Sequence, residues 1–146
     1  MAWIRGQPNP PAGIAGLPRP VALTPGGFHS FEHRWALREA FEFRRQIGRE
    51  RAAARTHELA RQLKDGLASI KGVRLVTPDS SDLSAGLVCF EVSGRDPMDV
   101  VQALYVKERI VGSVTPYAVR FVRLGPSILN SPTDVDRALR AIRAFA

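Results

Sequence analysis

The sequence holds one cysteine, Cys89, in 146 residues, so it cannot close an internal disulfide, and a reducing, cytoplasmic setting suits it. No stretch approaches the roughly 18 uncharged apolar residues that a membrane-spanning helix needs, so a membrane-embedded role is not expected. The first twenty residues carry Arg5 and Arg19 and no apolar core, which argues against a secretory signal. Lysine is scarce: only Lys64, Lys71 and Lys107 occur. No glycine-rich phosphate loop of the Walker or Rossmann kind appears, and no G-x-S-x-G elbow presents a nucleophilic serine.

Basic residues outnumber acidic ones, 21 to 14, giving a net charge of +7. Such a charge assists binding to nucleic acid, phosphate or carboxylate without selecting among them. Hydrophobic residues make up 45% and charged residues 24% of the chain. Those shares are ordinary for a soluble globular domain and argue against intrinsic disorder. The length suits one domain with a tail, and folding would remove roughly 70% of its unfolded surface from water.

Residues 1–27 are rich in proline and close on Gly26-Gly27, and they read as an extended arm. Residues 28–146 read as the domain. Phe28, Phe31, Trp35, Leu37, Ala40, Phe41 and Phe43 recur at helical spacing. Gly48 interrupts, and a second helix follows from about Arg49. Its apolar stripe is Ala52, Thr56, Leu59, Ala60, Leu63, Leu67 and Ile70. Arg51, Arg55, Glu58, Arg61 and Asp65 lie on its solvated side.

Gly72 ends that helix. Val73 to Thr77 alternates with period two, and Gly86 to Val92 is apolar enough for a central strand. Cys89 falls inside this run, where a buried, inert thiol is expected. Met98 to Arg109 has helical spacing through Val100, Val101, Leu104 and Tyr105. Ile110 to Val114 and Ala118 to Leu124 read as two more strands. Ser131 is a good helix cap, Pro132 suits the first helical position, and Asp134 and Asp136 favour the positive helix end. The fold class is therefore α+β: an extended arm and two helices, then a ββαββα small domain with a mainly antiparallel four-stranded sheet.

His29-Ser30-Phe31-Glu32-His33 matches the H-x-x-E-H pattern of certain zinc peptidases. A metal centre would need a third ligand, and the only other histidine is His57, one helix later. Interleaved with Phe28, Phe31 and Trp35, these histidines read as packing or domain-contact residues. The three lysines read as solvated, at exposed helix positions or element ends. More informative is the run from Val119 to Ser127. Arg120 and Arg123, at odd spacing, fall on opposite strand faces, so one can be solvated while the other enters a cleft. A guanidinium at a strand end, followed by a glycine turn, can clamp a carboxylate through two parallel hydrogen bonds.

The block Thr24-Pro25-Gly26-Gly27-Phe28-His29-Ser30-Phe31-Glu32-His33-Arg34-Trp35-Ala36-Leu37 resembles the class V aminotransferases. This is the group of pyridoxal-phosphate enzymes of fold type I that includes cysteine desulfurases and isopenicillin N epimerases. Ile47-Gly48-Arg49, Leu83 to Phe90, Ser113 to Tyr117 and Arg123 to Asp136 (RLGPSILNSPTDVD) agree with it in the same order. The resemblance covers about residues 20–146, the later portion of such enzymes.

In that family an earlier, large domain supplies the lysine that holds pyridoxal 5'-phosphate. None of the three lysines here sits in the family's lysine motif. The resemblance therefore implies the C-terminal part of an enzyme acting on an amino acid, truncated and not catalytic alone. It implies a missing large domain or a homodimer partner as a companion. Arg123, placed by the downstream Asn130, Asp134 and Asp136, matches the arginine that binds the substrate's α-carboxylate. Thr24 resembles the threonine that reaches the partner subunit's cofactor phosphate. The desulfurases' catalytic cysteine lies on a mobile loop before that arginine, whereas Cys89 lies in a predicted strand, which speaks against sulfur transfer. This reading predicts exposed apolar surface on Phe28, Phe31 and Trp35.

The alternative is a stand-alone basic α+β module binding nucleic acid or a small ligand. It draws on 18 arginines. No strand carries the paired exposed aromatics on which sheet-type RNA binders stack bases, so nucleic acid is not expected as a partner.

Overall fold

The computed structural model describes residues 31–146. The arm, Thr24, Phe28 and His29 lie outside the described residues. The chain divides into two compact units, Met1–Phe43 and Arg44–Ala146, with the boundary inside the first described helix.

That helix, α1, spans Phe31–Ile47. It presents Trp35, Leu37, Phe41 and Phe43 at the surface, with Trp35 73% exposed, as expected for that residue. His33 is exposed as well. Gly48 then takes a φ of 88°, a left-handed value that ends one helix and starts the next. Arg51 donates from Nε to the Ile47 carbonyl at 2.7 Å, occupying a carbonyl that the helix end leaves without an intrahelical partner.

The second unit begins in earnest with α2, Arg49–Ala68. It is followed by β1 Val73–Leu75, β2 Val88–Val92, α3 Pro97–Glu108, β3 Ser113–Val114, β4 Val122–Leu124 and α4 Pro132–Arg143. The strands pair antiparallel throughout, in the order β1-β2-β4-β3. The expected α+β ββαββα architecture is what the chain adopts.

The helices cover one sheet face. Val88, Phe90, Val92, Val122 and Leu124 point into them and meet Leu59, Leu63 and Leu67 of α2, Leu104 of α3 and Ile142 of α4. The period-2 alternation of β2 sends its even positions inward and leaves Cys89 and Glu91 on the open face. Gly66 lets α2 and α4 approach closely, because a Cβ there would lie 2.2 Å from Leu139 Cδ1.

The strands are shorter than their composition predicts. Val76 and Thr77 both donate to the Cys89 carbonyl, at 2.9 and 3.2 Å, so β1 gives way to a bulge after Leu75. Arg109 caps α3 in the left-handed region and Ile110 donates back to the Leu104 carbonyl. Helix closure thus claims the residues that would have opened β3. Thr115 N–H donates to the Phe121 carbonyl and Phe121 N–H donates to Thr115 Oγ1, closing a loop where β4 was expected to begin.

Two burial expectations are corrected. Lys64 is not solvated: it is 4% exposed. Its Nζ donates to the Pro78 and Asp79 carbonyls and to Ser84 Oγ, so the loop after β1 folds over the α2 lysine. Cys89 is not in the core; it is half-buried on the open face, because the alternation assigns the core to Val88 and Phe90 instead.

The start of α4 follows the sequence closely. Ser131 caps it, Pro132 takes the first position, and Asp134 Oδ2 accepts a hydrogen bond from Ser131 N–H at 2.8 Å, completing a capping box. The Ser131 backbone and hydroxyl hold the Asp134 carboxyl below its ordinary pKa. A depressed folded-state pKa contributes stability that is present above the unfolded value, about 4, and is lost as pH falls through the folded value. Asp134→Asn should therefore lower Tm at neutral pH, and the gap from wild type should close as both are scanned toward pH ~2. A gap that persists undiminished there would contradict the assignment.

Candidate active site

The open face of the sheet carries the side chains that the helices do not cover. Arg123 lies at its centre, opposite Cys89 of β2 on one side and Ser113 of β3 on the other. It is half-buried. Its Nε donates to Ser113 Oγ at 2.9 Å. No other hydrogen bond of Arg123 occurs among the described residues, which leaves its two terminal nitrogens available together. With Nε occupied, the guanidinium presents its end-on pair, a geometry matched to the two oxygens of a carboxylate.

Neighbours shape the approach. Leu87 extends over the backbone just beyond β4, where a Cβ on Gly125 would lie 2.9 Å from Leu87 Cδ2. A side chain at 125 would compete with Leu87 for the space beside Arg123. At the other end, Arg74 Nε donates to Glu91 Oε1 at 2.5 Å. That hydrogen bond is the main reason the Glu91 carboxyl sits below its usual range, so this carboxylate is occupied locally. The Arg74 guanidinium also lies 6.0 Å from the centre of the Phe121 ring. Phe121 is half-buried.

The two arginines do not share a strand as the spacing predicts, because β4 begins only at Val122. Arg120 sits outside the strand, exposed, with its guanidinium 3.4 Å from Asp96. Arg123 is the one held on the sheet. Ser113, its positioning partner, escaped the sequence reading. Pairing 113 with 123 depends on how the 115–121 loop closes, and alternation alone does not reveal that. Thr24 falls outside the described residues. Among the described residues no three metal-binding side chains cluster, and His57 is half-buried on α2. No helix among them is long and apolar enough to cross a membrane.

A family model described as aminotransferase class-V matches residues 28–114. The chain belongs to the class V aminotransferase family. Isopenicillin N epimerase of Streptomyces clavuligerus is 29% identical over 112 residues, covering 75% of this chain and 28% of the epimerase. A probable cysteine desulfurase of Mycolicibacterium paratuberculosis is 30% identical over 119 residues, covering 75% of this chain and 17% of that protein. The chain thus spans less than a third of the length of these curated relatives.

Among solved structures, the apo cysteine desulfurase of Thermococcus onnurineus superposes with a TM-score of 0.64 at 23% identity, covering 69% of this chain and 27% of that one. A cysteine desulfurase of Escherichia coli gives 0.56 at 21% identity over 64% of this chain and 25% of its own. Both establish the shared fold.

Class V aminotransferases depend on pyridoxal phosphate, which needs a lysine free to bond its carbonyl carbon. The described lysines do not fit that task. Lys64 spends its ammonium on two backbone carbonyls and a serine. Lys71 is exposed, and Lys107 lies over the Phe145 ring at 5.2 Å. What the described residues of this class V member do offer is a half-buried guanidinium, Arg123, held through Nε by Ser113.

Proposed function

We propose that this chain forms the substrate-anchoring small domain of a pyridoxal-phosphate enzyme acting on an α-amino acid, with Arg123 binding the α-carboxylate. The observation that carries the reading is the Arg123–Ser113 hydrogen bond of 2.9 Å on the uncovered sheet face. It fixes a guanidinium whose two terminal nitrogens remain available to a ligand. A carboxylate held at both oxygens cannot rotate about the C–N axes of the guanidinium, so the α-carbon beyond it is fixed in direction. Arg123 supplies charge and direction, Ser113 sets the guanidinium plane, and Leu87 and Gly125 border the space beside it.

The chemistry at the α-carbon lies with groups outside the described residues. They belong to a large domain or to a second subunit, toward whose cofactor phosphate Thr24 would reach. The 115–121 loop, Thr-Pro-Tyr-Ala-Val-Arg-Phe, contains no cysteine. The single thiol, Cys89, is fixed in β2 beside Arg123. This favours proton or amino-group chemistry at the α-carbon over sulfur transfer, and the single unbridged thiol suits the cytoplasm.

The test compares an α-amino acid with the primary amine of the same side chain in the cofactor-bearing enzyme that this domain serves. The amino acid should be preferred in kcat/KM by tenfold or more, since only it can engage the guanidinium. Equal values for acid and amine would contradict carboxylate recognition.

A further inference from the structure

A cavity of about 380 Å³ shares Gly125 with the space beside Arg123, but Arg123 itself does not line it. It opens between the first turns of α4, the stretch after α3 and the turn after β4. Its walls include Leu63, Leu124 and Val135, and both Arg109 and Arg137 line it. The volume and the apolar walls with a few charged groups match small-molecule sites.

Arg109 adopts a φ of 54°, the only left-handed non-glycine residue among those described. Glycine is the ordinary choice at a helix C-cap of this shape, and a residue with a Cβ is strained there. The arginine nonetheless lines the cavity, and its guanidinium lies 5.7 Å from the centre of the Tyr105 ring. Arg137 donates to the carbonyl of Glu108, the residue before Arg109. Asp134 also lines the cavity. Its Oδ2 accepts from Ser131 N–H and Oγ at 2.8 and 2.9 Å, which directs its charge into the helix cap. One carboxylate against two guanidiniums leaves the lining net positive.

We propose that this cavity binds a small organic carboxylate, its apolar body against Leu63, Leu124 and Val135 and its charged end between Arg109 and Arg137. Space of this size accommodates a body on the order of ten non-hydrogen atoms. Arg123 does not line this site, which needs no cofactor.

Titrating the full 146-residue chain with 4-methylpentanoate, followed by amide NMR, tests it. Saturable shifts should centre on residues 109–111, 124–126 and 134–138. The matching alcohol, 4-methylpentan-1-ol, and inorganic phosphate should each bind at least tenfold more weakly. Equal binding by the alcohol would reduce the cavity to an apolar hole, and equal binding by phosphate would reduce it to surface charge; either overturns the proposal. So does absence of saturation. Arg109→Gly separates function from folding. Glycine relieves the backbone, so Tm should hold or rise while carboxylate affinity falls about tenfold. Unchanged affinity in that variant contradicts the role of Arg109. Val111→Trp, at an exposed position on the lining, should block binding with both charges intact. Unchanged affinity there would place the ligand elsewhere.

Discussion

Arg123→Ala should lower kcat/KM for the amino-acid substrate by a hundredfold or somewhat more while leaving the folded domain intact. The loss is that of a charge-assisted, two-point contact, about 3 kcal/mol, within the range seen when one partner of a close charge pair is truncated. Little of it should come from stability, because Arg123 is half-buried on the open face and, among the described residues, donates only to Ser113. The matching amine, which lacks the carboxylate, should react no more slowly with the variant than with wild type. Ser113→Ala should show a smaller effect of the same kind, about three- to tenfold, concentrated in KM, and Ser113→Thr should recover most of it. Steady-state kinetics on the two substrates distinguish anchoring from unfolding: a variant equally slow on both would contradict the carboxylate role.

Phe90→Ala should cost about 3–5 kcal/mol of unfolding free energy. Phe90 is fully buried, sits on the central strand β2 and pairs with Leu75 on one side and Val122 on the other. Helices α2, α3 and α4 pack against the face to which it points. The cavity left by its ring is walled by strand backbone and helices on every side, so it collapses poorly. Phe145→Ala is the internal comparison. That ring is only partly buried at the end of the chain, with Lys107 above it, and its removal should cost less than half as much. Urea unfolding at constant m measures both. A loss below about 1 kcal/mol for Phe90→Ala would contradict the place of β2 at the centre of the core.

The parts of this fold that local chemistry decides were legible in the sequence. A cap, a proline and an acidic third position at Ser131, Pro132 and Asp134 leave little choice about where α4 begins. Gly48 marks a break because only glycine enters its φ without strain. Strand ends were less legible. Residues 110–112 and 118–121 have strand-like composition, yet a helix cap and a loop closure satisfy their backbone groups first. Lys64 and Cys89 show the same limit for side chains. Lys64 lies four residues after Ala60 on the buried side of α2, a spacing that pointed inward, but the loop that covers it is set by tertiary folding. Cys89 is apolar enough for a core, and only the strand register turns it to the open face.

For the site, the residue type and its downstream neighbours singled out Arg123, and the register supplied Ser113. The family match covers residues 28–114, and the roles proposed for Thr24 and Arg123 rest on the resemblance and, for Arg123, on geometry. A crystal structure of the cofactor-bearing enzyme with a slowly reacting amino acid is the most direct examination. The account predicts both carboxylate oxygens within about 2.7–3.0 Å of the two terminal nitrogens of Arg123, with Ser113 still holding Nε. A carboxylate bound by other residues, with Arg123 turned away from it, would contradict the account.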